Sequence, residues 1–213
     1  MTESTDLTDI RAAYDTVADS YADLLRDALA AGVLDRATLG AFAELARRGR
    51  PVADIGCGPG RITGYLAELG LDVFGVDLSP EMVAVARRDL PRLRFDVGSM
   101  TDLDLPDGSL GGIVAWYSII HLPPRLLPRV FAEFHRVLAP GAPLALAYKI
   151  GDTRHHLSHG YGHPISLDVY WHPPARITAL AESAGLTVTA TTTRAPAPDE
   201  RQPQGYLLAA RPV

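Results

Sequence analysis

Arg50-Pro51-Val52-Ala53-Asp54-Ile55-Gly56-Cys57-Gly58-Pro59-Gly60-Arg61 sets a short apolar run against three glycines, and apolar residues at helical spacing follow through Leu69. A strand that breaks into a glycine turn and enters a helix is the opening of an α/β unit. Leu71 to Val76 is a second buried strand, stopped at Asp77, and Ser79-Pro80-Glu81 opens a helix with Ser79 as N-cap and Pro80 in its first turn. Further out, Leu93–Val97, Gly111–Tyr117 and Ala142–Ile150 read as strands three to five, with a long amphipathic helix from Pro123 to Leu138 ended by Pro140-Gly141. Strands alternating with helices at this spacing predict a doubly wound, mostly parallel sheet whose ligand lies at the strands' C-terminal ends.

On the N-terminal side, Leu7 to about Arg48 carries apolar residues at three- and four-residue spacing, interrupted by Gly32, and predicts two or three helices. On the C-terminal side, 151–172 is rich in His, Gly and Tyr and reads as a loop or insert. Pro173–Ala184 reads as a helix, and Leu186–Thr193 and Gly205–Ala210 as strands joined by the Pro-rich loop Ala195-Pro196-Ala197-Pro198. The expectation is one domain over 1–213, with a helical lid at 1–48 and an α/β core at 50–213.

The 213 residues hold no run of about 20 apolar ones, and the first six are polar and acidic, so a cytoplasmic, non-membrane protein is expected. One cysteine, Cys57, excludes an intrachain disulfide and a cysteine-rich zinc site. A net charge of -5 argues against affinity built on neutralising phosphates, so no nucleic-acid partner is expected, and a monomer or homodimer is.

The glycine turn narrows the ligand. A dinucleotide fingerprint starting at Gly56 requires Gly or Ala where Arg61 stands, and one starting at Gly58 meets Thr63; the Lys-Ser/Thr pair of a nucleoside triphosphate loop is absent. Asp77 ends the second strand 17 positions after Gly60, where a carboxylate accepts from both hydroxyls of a ribose. A nucleoside ligand survives this elimination, while the dinucleotide and triphosphate readings weaken.

Asp54, Gly56, Gly58, Gly60 and Asp77 together resemble the first two motifs of the class I S-adenosylmethionine-dependent methyltransferases. The resemblance extends to Gly98-Ser99-Met100-Thr101-Asp102-Leu103 and to Arg136-Val137-Leu138-Ala139-Pro140-Gly141, which is similar to the Arg-Val-Leu-x-Pro-Gly of their small-molecule branch. It implies a Rossmann-like seven-stranded sheet with the last strand antiparallel, and S-adenosylmethionine as cofactor. It also implies site roles: Asp54, Gly56, Cys57 and Gly58 at the methionine part, Asp77 at the ribose, Leu78 and Met82 along the adenine, and Gly98, Ser99 and Met100 at its edge. Trp116 and Tyr117 would close the pocket, and Tyr14 and Tyr21 would be lid aromatics.

Ser99 stands where this family often has Asp, which shifts adenine recognition toward backbone groups or Asp102. The Asn/Asp-Pro-Pro-aromatic signature of base N-methyltransferases is absent at Trp116-Tyr117-Ser118, so adenine and cytosine N-methylation are not expected; the acidic composition and short cap make an oxygen or nitrogen of a small metabolite the expected acceptor. His121 is the candidate base. Lys149, Asp152, Arg154, His155, Tyr161 and Tyr170 are candidate acceptor contacts. The four histidines His155, His156, His159 and His163 lack intervening carboxylates within a Gly-rich stretch, and no metal is expected there. Tyr14, Val17, Tyr21, Leu24 and Leu25 also fit a simple core-facing stripe. A cofactor-binding protein that does not methylate and a nucleotide-dependent oxidoreductase are the alternatives left open.

Overall fold

The computed structural model describes residues 5–46, 49–198 and 200–213; the polar start Met1–Ser4 and the end of the helical stretch at Arg47 and Arg48 lie outside them. Three helices lead, α1 (Thr5–Leu25), α2 (Ala28–Ala31) and α3 (Val33–Leu45). Then come β1 (Val52–Ile55), α4 (Arg61–Glu68), β2 (Val73–Asp77), α5 (Pro80–Asp89), β3 (Arg94–Val97) and β4 (Gly112–Trp116). The chain continues with α6 (Leu127–Val137), β5 (Pro143–Lys149), β6 (Arg154–Gly160), β7 (His163–Tyr170), α7 (Pro174–Ser183), β8 (Thr187–Arg194) and β9 (Gln204–Ala210).

Seven strands form one sheet in the order β3-β2-β1-β4-β5-β9-β8. Neighbours pair parallel from β3 to β5, and β9 runs antiparallel to both β5 and β8. Every residue of β1 and of β4 is buried, as strands covered on both faces require. Alternation along β5 sends Leu144, Leu146 and Tyr148 into one apolar cluster with α6 and α7, and Ala145 and Ala147 into another with Leu39, Phe42, Trp116 and Tyr206. In α6, Leu127, Val130, Phe131, Phe134 and Val137 form the buried stripe. Arg136, the first residue of the Arg-Val-Leu-x-Pro-Gly stretch, donates to the carbonyls of Leu103 and Leu105 and pairs with Glu133 and Asp107. That stretch therefore pins the 103–107 loop against the sheet.

The segment 151–172 is not a loop. β6 and β7 make an antiparallel hairpin, closed by Tyr161 and Gly162 at φ 54° and 84°. Two positive φ values at a two-residue connection are the geometry that matches the twist of the flanking strands. The hairpin tip reaches α1: His163 Nε2 lies 2.9 Å from Ser20 Oγ, and the Tyr161 ring packs edge-on to Tyr21 with centroids 4.9 Å apart.

Sheet order reverses direction between β1 and β4, which opens a crevice at their C-terminal ends. α1 lies across it, tied to α5 by Asp15, whose Oδ1 accepts from Ser79 Oγ at 2.6 Å.

Candidate active site

The crevice holds a cavity lined by residues of the glycine turn, β2, β4 and α1. Its floor is the glycine turn. Gly56 has φ 75°, and a Cβ there would stand 2.3 Å from the Cβ of Ser118, so only glycine lets β1 and the end of β4 close up. Gly58 has φ 53°, yet a Cβ there would meet nothing nearer than 3.9 Å, from Met82 and Tyr21. That space faces the cavity and gives a ligand access to bare backbone.

Asp77 ends β2 at the cavity edge. Its Oδ2 accepts from Gly58 N at 2.7 Å and its Oδ1 from Ser79 N at 2.9 Å. Burial raises its pKa, and these backbone donors oppose the rise. Each carboxylate oxygen keeps lone-pair capacity for a further donor.

Leu78, Met82, Gly98, Ser99, Met100, Trp116 and Tyr117 also line the cavity. Tyr117 is held at φ 54° by its N–H to the Ala147 carbonyl, while its hydroxyl donates to Tyr206. Tyr14 and Tyr21 of α1 cover the cavity, edge to face with centroids 5.8 Å apart. The stripe reading holds for Val17, which is buried, but Leu24 is 67% exposed and belongs to neither stripe nor lid.

His121, on the 3-10 turn after β4, also lines the cavity. Its Nδ1 lies 3.3 Å from the Asp168 carbonyl and its Nε2 2.6 Å from the Tyr14 hydroxyl. A carbonyl only accepts, so Nδ1 carries the proton, and Nε2 accepts from Tyr14, whose own pKa burial pushes up. Burial, with the charge of Lys149, lowers His121 to about 4. An unfolded histidine gains its proton near pH 6.5, so the unfolded chain takes up a proton over the interval down to pH 4 that the folded protein refuses. Stability from this group is therefore lost as pH falls from about 6.5 to 4, by up to about 3 kcal/mol. His121→Asn is expected to flatten the pH dependence of unfolding free energy by about one proton's worth in that window. An unchanged slope would show that His121 is already solvated and titrating normally. His172, fully buried and lowered to about 4, is expected to keep a similar slope in the variant.

Several anticipated residues stand elsewhere. Asp54 is 1% exposed beneath the turn, with Oδ2 accepting from Thr63 Oγ1 at 2.7 Å, and burial pushes its pKa up to about 7. Cys57 turns into a separate cluster with Val83, Ala86 and Phe95. Neither side chain lines the cavity. Asp102 is exposed and pairs with Arg129, and Ser99 Oγ bonds Thr101.

Among the proposed acceptor contacts, His155 packs on Trp171, Tyr170 bonds Asp168, and Tyr161 packs edge-on to Tyr21. Arg154 pairs with Asp168 and Asp152 with Arg176. Lys149 lies at the end of β5, outside the cavity lining. Among the described residues no three His, Cys, Asp or Glu side chains gather to hold a metal.

Leu7, Ile10, Arg11, Ser79, Ser118 and Leu122 complete the lining and were not foreseen. Leu7 and Ile10 carried a signal, since 7, 10, 14, 17 and 21 continue one three-four spacing along α1.

Residues 52–141 match a family model described as a methyltransferase domain. An uncharacterized methyltransferase of Mycobacterium bovis is 38% identical over 108 residues, 49% of this chain and 42% of the relative. A demethylmenaquinone methyltransferase of Beutenbergia cavernae is 35% identical over 142 residues, 65% of this chain and 57% of the relative. The chain thus spans about half the length of the curated relatives it matches. In fold it is similar to the magnesium protoporphyrin IX methyltransferase of Synechocystis, at TM-score 0.73 and 18% identity over 99% of both chains. The matched segment, from β1 to the turn before β5, holds both the glycine turn and the strand-ending carboxylate Asp77, and it is this part of the chain that is similar to a methyltransferase domain.

Proposed function

We propose that this protein binds S-adenosylmethionine in the cavity above β1 and β2 and transfers its methyl group to an oxygen or nitrogen of a small metabolite. The observation that carries the reading is the pairing of open backbone at Gly58 with the Asp77 carboxylate on one cavity wall. Gly56 and Gly58 would meet the methionine part, Asp77 the ribose hydroxyls, and Leu78, Met82, Ser99 and Met100 the adenine. When bound, the cofactor supplies a methyl already activated by a sulfonium charge.

The chain's own work is then positioning and drying. Tyr14 and Tyr21 exclude water from above, and Trp116 and Tyr117 fix part of the wall. An acceptor proton in the cavity meets the Tyr14 oxygen, which takes it as its own proton passes to His121 Nε2; Nδ1–H keeps its bond to the Asp168 carbonyl. A base as weak as His121 suits a proton released late, once the acceptor atom has become positively charged. The bounded cavity supports a small acceptor rather than a macromolecule.

His121→Ala is expected to lower kcat about a hundredfold while changing cofactor affinity less than about threefold. Equal losses in both would mean that His121 only latches the lid. Incubation with methyl-labelled cofactor and a metabolite extract is expected to label small molecules; label confined to tRNA or protein would overturn the acceptor class.

A further inference from the structure

Two aromatic residues of the cavity are tied to a carboxylate outside it. Asp35, in the first turn of α3, accepts from Trp116 Nε1 at 3.1 Å through Oδ1 and from the Tyr206 hydroxyl at 3.2 Å through Oδ2. The Tyr206 oxygen in turn accepts from the Tyr117 hydroxyl at 3.3 Å and from Arg194 Nε at 3.2 Å. Trp116 and Tyr117 line the cavity, whereas Asp35, Tyr206 and Arg194 do not.

Chemistry fixes the direction of each bond. A guanidinium only donates and a carboxylate only accepts, so the Tyr206 hydroxyl takes two bonds on its lone pairs and gives its proton to Asp35. Removing the carboxylate leaves the donors of Trp116 and Tyr206, both buried residues, without an acceptor, and such groups shift to find one. Arg194 offers no substitute, because it is itself a donor and is held by Glu200 through two contacts of 2.7 Å.

Tyr117 is the residue most sensitive to that loss. At φ 54° it holds a left-handed conformation that a non-glycine residue keeps only where surrounding contacts over-determine it. Its N–H bond to the Ala147 carbonyl is one such contact, and its hydroxyl bond to Tyr206 is the other. The second depends on the Tyr206 orientation that Asp35 holds.

We propose that Asp35 is a positioning residue for methyl transfer, holding Trp116 directly and Tyr117 through Tyr206 so that this part of the cavity wall keeps the shape the acceptor packs against. The inference rests on the methyl-transfer reading. Gly58, Asp77, Leu78, Met82, Ser99 and Met100, the groups assigned to the cofactor, make none of these bonds among the described residues, so Asp35 acts on turnover and not on cofactor affinity.

The test uses the full chain carrying Trp171→Phe, which leaves Trp116 as the one indole. In a 15N-labelled sample Asp35→Ala is expected to shift the indole N–H resonance and speed its exchange with water about tenfold or more, the fold-change of one hydrogen bond to a charged group. Tyr206→Phe is expected to leave that resonance in place, because it cuts only the branch to Tyr117. With methyl-labelled S-adenosylmethionine and a metabolite extract, both variants are expected to lower kcat about tenfold while KM for the cofactor stays within about twofold. The double variant is expected to be no slower than the slower single one, since both changes break one chain. Asp35→Asn keeps one acceptor oxygen at the same size, satisfies one donor, and is expected to fall between wild type and Asp35→Ala; it carries the test if the alanine variant does not fold. An unmoved indole resonance in the Asp35 variants would overturn the clamp. Unchanged kcat, cofactor KM rising as much as kcat falls, or losses that multiply in the double variant would overturn the positioning role. Absence of labelled product from the wild type would instead overturn methyl transfer and any role in it, while the indole resonance still decides the clamp, so the two failures are distinguishable.

Discussion

Asp77→Ala is expected to weaken S-adenosylmethionine binding by about a hundredfold or more, the largest loss from any single polar group in the site. Two charge-assisted hydrogen bonds to ribose hydroxyls contribute about 1.5 kcal/mol each at the low end, which multiplies to that factor. The same change frees Gly58 N and Ser79 N, which the carboxylate now holds at 2.7 and 2.9 Å, so the turn itself loosens. Asp77→Asn separates these parts. It can still accept from one backbone N–H, so it is expected to restore stability more than affinity. Calorimetric titration and a thermal melt of both variants check this; affinity unchanged in Asp77→Ala would remove the ribose from that wall.

Gly56→Val is expected to cost about 2–5 kcal/mol of stability and to abolish cofactor binding. A β-branched residue at φ 75° is strained by about 1–2 kcal/mol. Its Cβ would also collide with the Ser118 side chain at 2.3 Å, where Ser118 Oγ donates to the Ile55 carbonyl at 2.8 Å, and overpacking adds about 1–3 kcal/mol. Because Gly56 N also bonds Val76 O at 2.7 Å, the displaced turn drags on β2. Gly70→Ala is the control: φ is 86° there, but nothing lies within 4 Å of the added Cβ. It is expected to lose only the conformational part, so its melting temperature falls by a few degrees where that of Gly56→Val falls by about 10 °C. Similar melts for the two variants would mean that the turn tolerates a side chain at Gly56.

Local chemistry made much of the site readable before any fold was known. The glycine turn and Asp77 sit beside their strands in sequence, and parallel α/β geometry brings both to one crevice. What sequence could not decide is which way each side chain of the turn faces, and so Asp54 and Cys57 fall outside the cavity they border. The Tyr14–His121 contact joins residues 107 positions apart, and no local pattern encodes it. The link from Asp35 through Tyr206 to Tyr117 likewise exists only through the antiparallel insertion of β9.

The hairpin is a different case, because its signal was present. Ile165, Leu167 and Val169 alternate with Ser166, Asp168 and Tyr170, and Tyr161-Gly162 supplies a turn. The polar, histidine-rich first strand concealed it, since β6 lies on the surface with little apolar content to mark it. Its role in the fold is mechanical: through Tyr161 and His163 it braces α1, and through the Asp168 carbonyl it sets the tautomer of His121.

Titrating S-adenosylhomocysteine into the wild-type protein by calorimetry, with NADH as the comparison, addresses the nucleoside site most directly. The expected result is saturable one-site binding of S-adenosylhomocysteine and no heat with NADH. Heat with NADH alone, or none with either, would contradict the assignment of the glycine turn and Asp77 to a sulfonium nucleoside.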